Sequence, residues 1–174
     1  MQQYEQDIEQ LLAEGNIIQI KPQGYSMYPV LVPGRDSAIV APVARVHAAA
    51  GDSTNGENKD FVDPSKLKRG DVVLYRRDKS DDVGGGILVL HRIWQRKGER
   101  FYFVGDNQKE IEGPLRPDQM RGIMVGMVRK GRKISVKNPV YRVLTGIWLV
   151  MRPVRPVVSK TVAKIKRLGR VEIK

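Results

Sequence analysis

The chain has 174 residues, of which 41% are hydrophobic and 29% charged, which suits one domain with a buried core and a tail. It has no cysteine and only two histidines. That excludes disulfide frameworks, thiolate chemistry and cysteine-based zinc sites, and it argues against a histidine-rich metal centre, so no metal or other cofactor is expected. The net charge is +12, and from Arg152 to Lys174 there are eight basic residues and one acid, Glu172, so an anionic partner is expected at that end.

In chain order, Tyr4, Ile8, Leu11 and Leu12 at helical spacing predict a short helix over residues 4–13, with Gly15 suited to its end. Its polar, acidic start lacks the order of a secretory signal, and no apolar run approaches the roughly 18 residues of a membrane-spanning helix. A cytoplasmic location is expected, peripheral at the inner face of a membrane. Short apolar strands are predicted at 17–20 and from 38, then at 72–75, 87–93, 101–104 and 123–128, each bounded by Gly, Asp or Pro. The small, polar residues 47–60 read as a mobile loop. Many closely spaced short strands predict a mainly-β domain with a coiled or barrel-like sheet.

Residues 1–136 are therefore expected to form the domain and 137–174 a basic, partly amphipathic helical tail. Val140, Val143, Leu144, Ile147 and Trp148 fit one helical face, Pro153 and Pro156 interrupt it, and Val158, Val162, Ile165 and Leu168 alternate with Lys160, Lys164, Lys166 and Arg167. A basic amphipathic helix near a tryptophan reads as an element for an anionic membrane surface, with Trp148 and the aliphatic residues facing lipid.

Three chemistry-bearing residues stand in motif-like contexts. Ser26 lies in Gly24-Tyr25-Ser26-Met27-Tyr28-Pro29, His91 in Leu88-Val89-Leu90-His91-Arg92-Ile93, and Asp106 in Gly105-Asp106-Asn107. A serine needs a neighbouring base to take its proton, and a third group usually orients that base.

The order of these boxes, with Leu67-Lys68-Arg69-Gly70-Asp71-Val72-Val73 between the first two, resembles the superfamily of type I signal peptidases and SOS-repressor-type self-cleaving proteases over roughly residues 10–130. With His rather than Lys before Arg on the base-bearing strand, the chain is most similar to the archaeal and endoplasmic-reticulum signal peptidases. It departs from them in lacking a spanning anchor before the serine box and in carrying Arg35 between Gly34 and Asp36. The resemblance implies a signal-peptidase-type coiled sheet, with Ser26 as nucleophile and His91 as general base. Asp106 would be the orienting acid, with Glu112 as the alternative and Glu110 a further candidate.

The function so implied is a serine endopeptidase that cleaves a signal- or leader-like peptide or protein precursor, with small residues flanking the cut. The alternatives are a non-catalytic membrane-surface or peptide-binding protein retaining the fold, or a self-cleaving regulator. Ala48-Ala49-Ala50-Gly51 offers a cleavage site for the latter at Ala50–Gly51. Nucleic acid is disfavoured as a partner, because the 23 residues before Gly24 cannot hold a helix-turn-helix domain and only phosphate contacts by the basic tail would remain.

Overall fold

The computed structural model describes residues 2–44, 61–77 and 86–151. The loop expected at 47–60, with its Ala50–Gly51 bond, and the helical pattern expected after the proline pair lie outside the described residues. Helix α1 (Gln2–Ala13) leads into strands β1 (Ile18–Ile20), β2 (Asp36–Pro42), β3 (Val72–Arg77), β4 (Ile87–Lys97), β5 (Arg100–Val104), β6 (Glu112–Leu115), β7 (Met120–Arg129) and β8 (Arg132–Ser135), and helix α2 (Pro139–Val150) follows. The strands form one curled, half-barrel antiparallel sheet in the order β1-β2-β7-β3-β4-β5-β6, with β8 also paired to β7. The mainly-β coiled sheet and short N-terminal helix expected from the strand pattern are present.

Two strands have no counterpart in the sequence reading. Strand β6, Glu-Gly-Pro-Leu, lacks the alternation that marks a strand. Its proline is tolerated because β6 is an edge strand, where a missing N–H leaves no ladder bond unmade. Strand β8, Arg-Lys-Ile-Ser, is a polar partner for the C-terminal half of β7, and its Met127 lies opposite Ile134.

The sheet buries side chains on both faces, so strand alternation sorts neighbours in sequence into different cores. On the first face Ile8 and Leu12 of α1 pack with Met27, Leu31, Val72, Leu74, Leu90 and Met124. On the second, Val73, Tyr75, Val89, Ile93, Phe101 and Phe103 form a separate cluster. Tyr75 and Phe103 stack there with ring centroids 4.4 Å apart. Each fully buried phenylalanine contributes about 2–3 kcal/mol through area removed from water. In α1, Ile8 and Leu12 point inward, whereas Tyr4 and Leu11 are exposed. Glu9 fixes the helix to the sheet by accepting hydrogen bonds from Arg76 of β3 at 2.7 Å and Arg121 of β7 at 2.6 Å.

The segment between β1 and β2 is held by Asp36. Its carboxylate accepts from the Val32 N–H, from Arg35 and from Arg129 of β7, whose guanidinium also donates to the Val30 carbonyl. The inserted Arg35 thus belongs to this clamp. Burial pushes the Asp36 carboxyl up, but the hydrogen bonds from Arg35, Arg129 and Val32 outweigh it and hold the group well below the ordinary carboxylate range.

Asp36→Ala should lower folding stability by about 2–3 kcal/mol in urea melts, because it leaves the Val32 N–H and Arg129 without their acceptor. A carboxylate with a lowered native pKa stabilises above its unfolded value, so the stability difference between wild type and the variant should shrink as pH falls below about 4.

Candidate active site

Gly24 adopts φ +74°, a left-handed conformation that a side chain disfavours, and turns the chain into the serine loop. The loop closes through Tyr28 N–H to Tyr25 carbonyl at 3.1 Å and Leu31 N–H to Met27 carbonyl at 2.9 Å. Met27 and Leu31 are buried in the first core, while Tyr25 and Tyr28 are exposed. Ser26 therefore sits half-buried at the boundary between anchor and surface.

The turn after β5 is packed directly against this loop. The Asn107 N–H donates to the Ser26 carbonyl at 2.7 Å. A β-carbon on Gly105 would lie 2.7 Å from that same carbonyl and 2.6 Å from the Gln108 side-chain oxygen. Glycine at 105 is what allows the two backbones to meet.

His91 and Arg92 are adjacent in β4 and point to opposite faces. Arg92, 2% exposed, makes two parallel hydrogen bonds to Asp106, 1% exposed, at 2.8 and 2.7 Å, and donates to the Gly70 carbonyl at 2.7 Å. Burial alone would lower the guanidinium's proton affinity, but the hydrogen bond and charge of Asp106 outweigh it, so the net shift is upward. The expected orienting acid is thus committed to Arg92. Glu112, the alternative, reaches the histidine instead, with its carboxylate 3.6 Å from His91 Nδ1. Glu110 is exposed.

Two further residues join this side of the sheet. The Tyr75 hydroxyl donates to Glu112 at 2.6 Å and lies 3.2 Å from His91 Nδ1, and Arg77 donates to Glu112 Oε2 at 3.1 Å. Burial, followed by the Glu112 carboxylate, pushes the Tyr75 phenol far above its ordinary pKa, so it keeps its proton. That proton is directed to Glu112, so the contact with His91 requires Nδ1–H as the donor. The imidazole is then the tautomer whose Nε2 carries the lone pair. Burial also lowers the His91 pKa, against the opposing pull of Glu112, and the ring is neutral at pH 7. A neutral imidazole in this tautomer has on Nε2 the lone pair that a general base uses.

No sequence signal identified Tyr75 or Arg77, because their approach to Glu112 depends on β5 lying between β4 and β6. Among the described residues, no hydrogen bond joins the Ser26 hydroxyl to His91. The two are related through β5, where Val104 pairs with Arg92 and the following turn touches Ser26. Also among the described residues, no three His, Asp or Glu side chains gather where they could hold a metal ion.

Gly105→Ala should cost about 1–3 kcal/mol, because the added methyl forces the serine loop and the 105–107 turn apart; thermal melts would measure it. In a pH titration by NMR, His91 should titrate below its ordinary value near 6.5 and show Nε2 deprotonated and Nδ1 protonated at pH 7. Since the unfolded chain binds this proton first, the His91 contribution to stability should be full above about 6.5 and fall away as pH drops towards the native pKa. Comparison with known protein families, with curated proteins and with solved structures gives no match to this chain.

Proposed function

We propose that this protein is a serine endopeptidase of the signal-peptidase type, acting on an extended peptide or protein precursor. In this reading Ser26 Oγ attacks the scissile carbonyl as His91 Nε2 takes its proton, and the imidazolium then gives that proton to the leaving amine. Glu112, bridged by Tyr75, orients the ring and stabilises its charged form, while Asp106 holds Arg92 and the turn beneath the serine loop. The Ser26 N–H is a candidate donor to the developing oxyanion.

The observation that carries this reading is the His91–Tyr75–Glu112 arrangement. A histidine serving only as core filling needs no carboxylate held by an arginine at one ring nitrogen, nor a tautomer fixed with the other as acceptor. Catalysis requires the serine hydroxyl to come within about 3 Å of Nε2 when substrate is bound.

The test is cleavage of a library of extended peptides containing Ala-x-Ala, with wild type beside Ser26→Ala and His91→Ala. Both variants should lower kcat/KM by about a thousandfold or more, Ser26→Ala at unchanged melting temperature and His91→Ala with some loss of stability, because that ring is buried. Tyr75→Phe and Glu112→Gln should retain partial activity and shift the acid limb of the kcat/KM profile, because each alters the charged form of His91 rather than removing it. Cleavage unchanged in Ser26→Ala would overturn the assignment. A folded wild type that cleaves no member of the library would favour the non-catalytic peptide-binding alternative.

A further inference from the structure

Helix α2 docks on the domain by one side. Asn138 caps its start by accepting from the Val140 N–H at 2.9 Å, the Trp148 indole donates to the Asp106 carbonyl at 3.0 Å, Leu149 is buried, and Tyr141 packs on the first core. Trp148 is therefore turned towards the domain and not outward with the aliphatic residues, as the helical spacing had suggested. Its indole N–H needs an acceptor when withdrawn from water, and the Asp106 carbonyl supplies one.

The other side of α2 is apolar as well. Val140, Val143, Leu144, Ile147 and Val150 recur at helical spacing and are each between 52% and 72% exposed. Five large aliphatic side chains exposed along one helix face make a contiguous apolar patch, which is unusual in water.

The charge is unevenly distributed along the sequence. From Gln119 onward the chain carries fifteen basic residues and a single acid, Glu172, whereas the preceding 118 residues carry sixteen basic and eighteen acidic. All of the net positive charge thus belongs to the third of the sequence that contains α2. Lys130, Arg132, Lys133 and Lys137 precede the helix, and Arg152 and Arg155 follow it.

We propose that the outer face of α2 rests on an anionic lipid bilayer, with its aliphatic stripe among the acyl chains and the flanking lysines and arginines at the headgroups. Twelve helical residues extend about 18 Å, well short of a roughly 30 Å hydrocarbon core. Among the described residues no helix is long and apolar enough to cross a membrane, so α2 lies in the interface plane.

The features of the stripe separate lipid from other occupants. Nucleic acid would engage the basic residues but has no use for aliphatic side chains. A second copy of the chain would bring two strongly positive segments together. A protein partner is usually gripped by aromatic or arginine anchors, and this face holds only Val, Leu and Ile. The inner side of the docked helix is linked to the serine loop, because Trp148 holds the Asp106 carbonyl and the next N–H, of Asn107, holds the Ser26 carbonyl. The proposal stands without the peptidase reading, since it concerns binding alone.

The experiment is co-sedimentation of the purified full chain with vesicles of phosphatidylcholine alone and of phosphatidylcholine mixed with phosphatidylglycerol. Wild type is compared with a face variant, Leu144→Gln/Ile147→Gln, and a charge variant, Lys160→Gln/Lys164→Gln/Lys166→Gln/Arg167→Gln. Wild type should prefer the anionic vesicles by about tenfold or more, with binding weakened by salt. The face variant should lose about tenfold or more at unchanged melting temperature, because its changes are at exposed positions. The chain has no native cysteine. An environment-sensitive dye on Leu144→Cys should therefore report an apolar setting on vesicle binding and not in buffer. Binding by the face variant equal to wild type, or an unshifted dye in vesicle-bound protein, would overturn the proposal. So would a dimer in lipid-free sedimentation that the face variant dissociates, or stronger binding to duplex DNA than to anionic vesicles.

Discussion

The rest of the structure depends on one buried ion pair, Arg92 with Asp106. A guanidinium and a carboxylate removed from water are tolerable only when each satisfies the other and the remaining donors find acceptors. Here the pair is bidentate, and the Gly70 carbonyl takes a further guanidinium hydrogen bond. Four parts of the chain meet at it: the centre of β4, the turn entering β3, the turn after β5, and α2 through the Trp148 bond to the Asp106 carbonyl. Removal of either charge would strand the other, at a cost of about 3–5 kcal/mol, and would loosen all four at once.

The pair also explains the geometry on the opposite face. Because Arg92 is fixed on one side of β4, His91 must point to the other, where Tyr75 and Glu112 stand. The motif His-Arg therefore places consecutive side chains in two different settings, one in a buried ion pair and one beside Tyr75 and Glu112. The burial that keeps His91 neutral comes from the second core, whose Val73 lies directly opposite it in the register of β3 and β4. The clamp of Arg129 on Asp36 and Val30 then holds the far end of the serine loop against β7. The loop is tied at both ends to the sheet, and its exposed Tyr25 and Tyr28 are left at the surface.

Helix α2 packs on the first core and the Asp106 turn and has two apolar sides. Its inner side is explained by Tyr141, Trp148 and Leu149, which reach the core and the Asp106 turn. Its outer side, from Val140 to Val150, is exposed. A helix this short gains little stability from its own hydrogen bonds, so packing on the domain is what defines it.

What the sequence determined by itself was the mainly-β character, most strand positions, and a short list of candidate site residues. Alternating β-branched runs ended by Gly and Asp are local signals, and with no cysteine and two histidines the candidates are few. It also placed an amphipathic helix at 140–148, close to the Pro139–Val150 observed. Tertiary structure alone decided which carboxylate meets which cation. Asp106 lies nearer to His91 in sequence, yet it points to the face of Arg92, and Glu112 comes round on an edge strand to Tyr75 and His91. Strand alternation, register and the order of β4, β5 and β6 fix those partners, and none of the three is a local property. The same holds for Trp148: helical spacing groups it with the aliphatic stripe, but an indole N–H seeks an acceptor, and only the folded chain brings the Asp106 carbonyl within reach.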